Sequence, residues 1–246
     1  MLLAIDIGNT NITCGIFKAD ELKGSFSLPT QDYTLNKLRG SLRKFKIDNA
    51  IACSVVPKLT RTVEKDLRLI LGKQPCIIGK NIRVPIKNLY LNPKAVGQDR
   101  LVNAYAGIKL YGAPLVVVDF GTAVTFDVIS KRKEYLGGMI LPGLRISLEV
   151  LNERTALLPK IKLEAPKEFI GRDTKTSMLS GIVHGLGALS DALVTRLKHE
   201  LGKKTQAIGT GGNINLIAKY CRNLDGKNIH LTLKGLNMLF RQQKNT

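Results

Sequence analysis

Residues 2–17, LLAIDIGNTNITCGIF, run as an apolar strand into a carboxylate, then a polar turn with one glycine, then a second apolar strand. The same order returns at 116–129, VVVDFGTAVTFDVI. Asp6 matches Asp119, Gly8 matches Gly121 and Ile16 matches Ile129, all at a spacing of 113 residues, close to half the chain. A repeat at that spacing predicts a duplicated α/β domain. The expected halves are 1–113 and 114–246, meeting where Gly112 and Pro114 stop a helix read over 98–111.

Between the repeats the chain alternates. Residues 2–6 and 12–17 read as strands joined by a hairpin turn at NTN, and 50–55 and 75–78 as short apolar strands. The stretches 33–45 and 58–71 carry apolar residues at helical spacing. In the second half, 207–213, AIGTGGN, reads as a short strand entering a glycine-rich turn, and INLIAKY after it as a helix. A long apolar pattern at 177–201 reads as a helix, with Thr174 as a candidate N-cap. Gly181, Gly185 and Gly187 on that helix give a small face that suits either a dimer seam or packing within one subunit. His184 beside it reads as a packing or surface residue, and Lys131–Lys133 as a solvated hairpin tip.

The repeated turn has a chemical use. Backbone N–H groups and hydroxyls after the Asp can converge on an anion, and Gly permits its close approach. The Asp at the strand end then offers charge to a cation riding on phosphates. Ordinary hairpin chemistry explains one such turn as well; two matched turns favour a pair of phosphate grips. Gly211 and Gly212 would let a nucleoside lie against the backbone.

Composition narrows the classes. The 38 Lys and Arg against 19 Asp and Glu give a net charge of +19. The excess is divided almost evenly, with 18 basic and 8 acidic residues in 1–113 and 20 and 11 in 114–246. With aromatics at 5% and no Trp, this favours a generally basic surface over a dedicated nucleic-acid site. The scattered Cys14, Cys53, Cys76 and Cys221 suggest neither zinc nor a disulfide framework. No apolar run is expected to span a membrane and no signal peptide is read, so a cytoplasmic protein is expected.

The order phosphate turn, phosphate turn, adenosine turn resembles the acetate and sugar kinase, Hsp70 and actin superfamily, in which two ribonuclease-H-like (actin-like ATPase) domains clamp ATP in the cleft between them. AIDIGNTN, YLNPKAVGQDRLVNA, VVVDFGTAVTFDVI, EYLGGMILPGL, GRDTKTSMLSG and LTLKGLN together resemble type III pantothenate kinase over nearly the whole chain. The resemblance implies ATP-dependent phosphorylation of pantothenate, the first step of coenzyme A synthesis, by a homodimer using Mg²⁺ and a monovalent cation, K⁺ or NH₄⁺.

Carried over residue by residue, it implies an ATP-phosphate loop made of Asp6, Ile7, Gly8, Asn9, Thr10, Asn11, Ile12 and Thr13, with Asp6 reaching Mg²⁺ through water. Thr122 serves the second loop, Gly211 and Gly212 the nucleoside, and Asp119 the monovalent cation. Tyr90, Gly97, Gln98, Asp99, Arg100 and Thr174 hold pantothenate, Asp99 as the base and Thr174 from the partner subunit. Gln98 stands where the family has Ala. Taken alone, Asp99 suits a helix start equally well, where a carboxylate gains about 0.3–1 kcal/mol from the macrodipole. Arg100 suits a substrate carboxylate through its planar fork. A non-catalytic nucleotide-binding regulator and a kinase for another hydroxyl compound are the competing readings; the Asp99–Arg100 pair opposes the first, and the stretch from Tyr90 to Arg100 the second.

Overall fold

A computed structural model describes residues 1–244. The chain folds into two compact units: Met1–Ile86 with Leu91–Lys109 and the C-terminal helix form the first, Lys87–Tyr90 with Leu110–His230 the second.

The first unit is built on β1 (Leu2–Ile7), β2 (Asn11–Lys18), β3 (Glu21–Pro29), β4 (Asn49–Ser54) and β5 (Cys76–Ile77), in the order β3-β2-β1-β4-β5. β1, β2 and β3 form an antiparallel meander, while β4 and β5 add in parallel. Two helices connect the parallel part: α1 (Leu35–Leu42), capped by Thr34 Oγ1 accepting from Lys37 N, and α2 (Pro57–Leu71), opened by Pro57 and closed by left-handed Gly72. α3 (Gln98–Tyr111) follows.

Period-two alternation sorts β1 between two cores. Leu3, Ile5 and Ile7 pack on one face with Leu38 and Leu42 of α1 and Val63 and Leu67 of α2. Leu2 and Ala4 pack on the other with Val102 and Tyr105 of α3 and with Leu233, Leu236, Leu239 and Phe240 of α7 (Leu231–Lys244). Asp6, next in the even series, therefore points to the α3–α7 face.

A cut at 113/114 is corrected here for α7, which closes the first unit instead of ending the second. Its leucines cover Leu2, Ala4 and Phe17, each buried leucine contributing about 1.5–3 kcal/mol. Lys87–Tyr90 also changes sides, joining the second unit.

The second unit repeats the plan with β6 (Leu115–Phe120), β7 (Ala123–Ile129), β8 (Tyr135–Pro142), β9 (Gln206–Thr210) and β10 (Gly226–Lys227) in the order β8-β7-β6-β9-β10. Val116, Val118 and Phe120 face α5 (Thr174–Leu201) through Val183, Val194 and Leu197. α4 (Leu144–Glu153) places Leu148 against Met178 and Leu179 of α5. The 28-residue α5 is long and apolar enough by composition to cross a membrane, and its buried Met178, Leu179, Val183, Val194 and Leu197 pack within the second unit.

The repeat also survives as a shared irregularity. The β2–β3 register shifts between Ile16 and Phe17, and the β7–β8 register between Val128 and Ile129. Ile16 pairs with Leu3, and Val128 with Val116, the equivalents one repeat apart. Ile16 thus corresponds to Val128 and not to Ile129, because the second turn is one residue shorter. The constant spacing of 113 holds for the first strands alone.

The even division of charge is also refined. From Tyr33 to Lys73 all ten Lys and Arg are exposed, whereas Glu64 and Asp66 are buried and Asp48 is the single exposed acid. Glu64 is held by Arg68 at 2.7 Å and Lys80 at 2.8 Å, and Asp66 by Tyr33 Oη at 2.9 Å. The outer side of α1 and α2 is therefore strongly cationic.

Candidate active site

In the first unit, register lays Ser27, Thr13, Asp6 and Cys53 side by side across β3, β2, β1 and β4. The turn above them closes with Gly8 N donating to Asn11 O at 3.0 Å. Thr30 pins it from the end of β3, its Oγ1 donating to Gly8 O at 2.7 Å and its N to Thr10 O at 2.9 Å. Asn9, Thr10 and Asn11 are exposed. Ile7 and Ile12 have their side chains in the α1–α2 core, so of the eight residues assigned to this loop these two have only backbone to offer.

α3 brings in the second carboxylate. Asp99 lies in its first turn, Oδ1 accepting from Arg100 N at 2.9 Å. A side chain on Gly97 would collide with that oxygen, which accounts for glycine there. Gln98 lies along Gly79, at φ +83°, where a side chain would come within 3.0 Å of the Gln98 amide carbon. The amide that replaces the family's Ala is thus packed on Gly79. Arg100 is buried at 8% exposure.

The electrostatics are those of two crowded acids. Burial first, and the Asp99 charge second, push the Asp6 carboxyl up to about 7, with Cys53 Sγ donating to Oδ1 at 3.3 Å and pulling it back. Asp99 is also raised by burial, against the lowering effects of the Arg100 N–H and guanidinium. The Cys53 thiol is held well above its ordinary value by burial and both carboxylates. Like charges this close make a place for a cation. Among the described residues no three His, Cys, Asp or Glu gather as a metal cage.

In the second unit Gly121 N donates to Ala123 O at 3.1 Å. Gly143 N donates to Thr122 O at 3.1 Å, and Asn213 donates from Nδ2 to Gly121 O at 3.3 Å and from N to Phe120 O at 3.1 Å. Gly211, at φ +95°, is where a side chain would strike Asp119 Oδ1 and the Phe120 backbone. Asp119 is thus laid against the third glycine turn, with Thr122 and Gly212 exposed nearby in sequence and open space at Gly212.

Tyr90 belongs to the second unit. Its segment pairs with β8 through Leu89 N to Tyr135 O and Tyr135 N to Lys87 O, both 2.9 Å. Lys87 ties Glu134 at 2.7 Å, and the Tyr90 ring lies over Gly137, at φ +127°. Gly97–Arg100 are on the first unit, so the residues assigned to pantothenate are carried by both.

Thr174 as the cap of α5 is corrected. Asp173 is the N-cap, in a reciprocal capping box with Thr176, and Thr174 is the exposed first helical residue. The glycine face divides: Gly187 packs on the Tyr220 carbonyl, while Gly181 and Gly185 are exposed. His184 stands edge-on between Phe169 at 4.9 Å and Tyr220 at 4.7 Å, a packing role. Lys131, Arg132 and Lys133 are exposed. Sequence reading did not single out Cys53, Thr30, Gly143 or Asn213, although Gly143 and Asn213 lay in quoted motifs.

The family model described as type III pantothenate kinase matches residues 2–196. A protein named type III pantothenate kinase from Finegoldia magna is 42% identical, over 100% of this chain and 98% of its own. One of the same name from Agathobacter rectalis is 37% identical, over 99% and 98%. Among solved structures, a Baf family transcriptional activator from Campylobacter jejuni superposes with a TM-score of 0.61 at 20% identity, over 99% of this chain and 100% of its own. An activator of 2-hydroxyisocaproyl-CoA dehydratase from Clostridium difficile, with bound ADPNP, gives 0.51 at 10% identity, over 99% and 96%. These two likenesses concern the fold.

Proposed function

The chain belongs to the type III pantothenate kinase family, and we infer from this that it phosphorylates pantothenate from ATP at the first step of coenzyme A synthesis. The observation that carries the assignment of parts is the approach of Asp6 and Asp99, two carboxylates of which one faces the phosphate turn and the other opens the GQDR helix.

Asp99 serves as the base. The substrate hydroxyl proton passes to its carboxylate late in a loose transition state, and its raised proton affinity assists acceptance. Arg100 orients the substrate carboxylate in a forked pair. Gly97 leaves Asp99 its room, Gln98 contributes backbone, and Tyr90 contacts the same substrate.

The turn from Asp6 to Thr13 grips phosphate by backbone N–H groups and exposed hydroxyls, Thr122 does so in the second unit, and Gly211 and Gly212 lie along the nucleoside. Asp6, through water, holds the divalent ion, which when bound neutralises charge on the phosphate oxygens. Asp119 holds K⁺ or NH₄⁺. The working form is a cytoplasmic homodimer in which Thr174 of one subunit closes the pantothenate pocket of the other.

Selectivity tests this reading. ADP release in Mg²⁺ and K⁺ is measured with pantothenate, glucose or N-acetylmannosamine as acceptor. Stimulation by pantothenate alone is expected. Stimulation by a sugar and none by pantothenate would overturn it.

A further inference from the structure

Cys53 occupies a position that the reaction, as assigned above, leaves without a role. Parallel register places it beside Asp6 on the neighbouring strand. Its side chain is wholly buried, at 0% exposure, with Sγ 3.3 Å from Asp6 Oδ1. It belongs to an apolar core that includes Ala4, Ile51 and Val102, so packing alone would be met by valine. The thiol donates to one carboxylate oxygen, fixing rotation of the group about its last bond. The register-equivalent neighbour of Asp119 is Thr210, whose hydroxyl donates to the Asn228 carbonyl at 2.8 Å. In the first repeat, then, a neighbouring strand's donor is aimed at the acid, whereas the Thr210 hydroxyl is directed to a backbone carbonyl.

We propose that Cys53 is a positioning residue whose S–H holds the Asp6 carboxylate in the orientation that receives the hydrated divalent ion of the nucleotide. The proposal rests on the reading of Asp6 given above. The thiol adds no charge to a place that already has two acids, and it leaves Oδ2 available for a metal-bound water.

The test uses Cys53→Ser, Cys53→Val and Cys53→Ala in the full chain, with Asp6→Asn alongside. Calorimetric binding of the non-hydrolysable ATP analogue AMPPNP is followed across Mg²⁺ concentrations, and the KM for pantothenate is measured separately. Loss of the donor should raise the Mg²⁺ concentration needed for half-maximal nucleotide binding about three- to tenfold in the Val and Ala variants, the range for one hydrogen bond with a weak donor. Ser, which keeps the donor, should lie near wild type. The KM for pantothenate should stay unchanged in the Cys53 variants. Asp6→Asn combined with Cys53→Val should be no worse than Asp6→Asn alone, since the thiol acts through that acid.

A packing role gives the reverse order, with Val near wild type and Ser impaired by its buried hydroxyl, and would overturn the proposal. If Val proves too large to fold, Ala makes the same comparison. Wild-type Mg²⁺ dependence in Asp6→Asn would refute the reading of Asp6 itself; a large effect there with none in Cys53→Val or Cys53→Ala would refute Cys53 alone.

Discussion

The two hairpins share one plan and differ in what surrounds the acid. Asp6 sits among side chains, with Thr13 and Cys53 in register on either side and Asp99 near enough to raise its proton affinity. Asp119 sits against backbone, pressed by the turn at Gly211 and enclosed by a loop that Gly143 and Asn213 hold. A carboxylate opposed by another carboxylate suits proton transfer and a strongly charged ion. One laid among carbonyls and glycines suits a weakly hydrated ion and a flat ligand. Duplication thus leaves one frame with two different settings for its acid.

Removing the first hairpin's partner acid should have the largest consequence. Asp99→Asn is expected to lower turnover by about 10²–10⁴ with ATP affinity nearly unchanged; single-turnover transfer and calorimetry check the two halves of that statement. A rate near wild type would remove the distinction between the hairpins.

The corresponding experiment on the second hairpin uses salt. Activity in Na⁺ should be at least about tenfold below that in K⁺, because a large, weakly hydrated ion fits between a carboxylate and phosphates. Asp119→Ala should lose activity in both salts. Equal wild-type rates would contradict the cation assignment.

Next comes Thr174→Val, expected to weaken pantothenate binding by about 1–3 kcal/mol and ATP binding hardly at all. Mixed with Asp99→Asn subunits, it should recover activity, since each mixed dimer has one site with both lesions and one with neither. No recovery, with exchange confirmed, would place Thr174 outside the neighbour's pocket.

The backbone setting of Asp119 is probed by a pair of glycines. Gly211→Ala should destabilise the protein by about 1–3 kcal/mol, from positive φ and collision with Asp119. Gly212→Ala, with open space, should stay within about 0.5 kcal/mol. Denaturant unfolding compares them.

The smallest effect concerns the charge on Asp6. A carboxyl whose folded pKa is raised from 3.8 to about 7 stabilises the fold below the unfolded value and loses that contribution as pH rises through the folded one. In EDTA without nucleotide, Asp6→Asn should therefore be more stable than wild type at pH 8, with the difference vanishing near pH 4. Equal melting at both pH values would mean that Asp99 and burial place no strain on Asp6.

Much of this was legible in the sequence. The strand–Asp–x–Gly pattern located β1, β2, β6 and β7, and helical spacing located α2 and α3 to within a residue. β3 escaped notice because its alternation is between half-buried and exposed positions of an edge strand, with Lys, Gly and Ser among them. The pairing of Ile16 with Ile129 failed because a one-residue difference in turn length leaves the apolar pattern unchanged while moving every later residue to the other face. The placement of α7 was illegible because amphipathicity states that a helix has an apolar face and not which sheet receives it. Cys53 lay inside a short apolar strand with nothing to distinguish it; its contact with Asp6 follows from strand register, which no local pattern specifies.

The most direct test of the whole account is the product itself. Wild-type protein incubated with ATP, Mg²⁺, K⁺ and pantothenate is analysed by mass spectrometry alongside ADP quantitation. The expected result is 4′-phosphopantothenate formed one for one with ADP. ATP consumed without phosphopantothenate, or no turnover while both ligands bind, would contradict it.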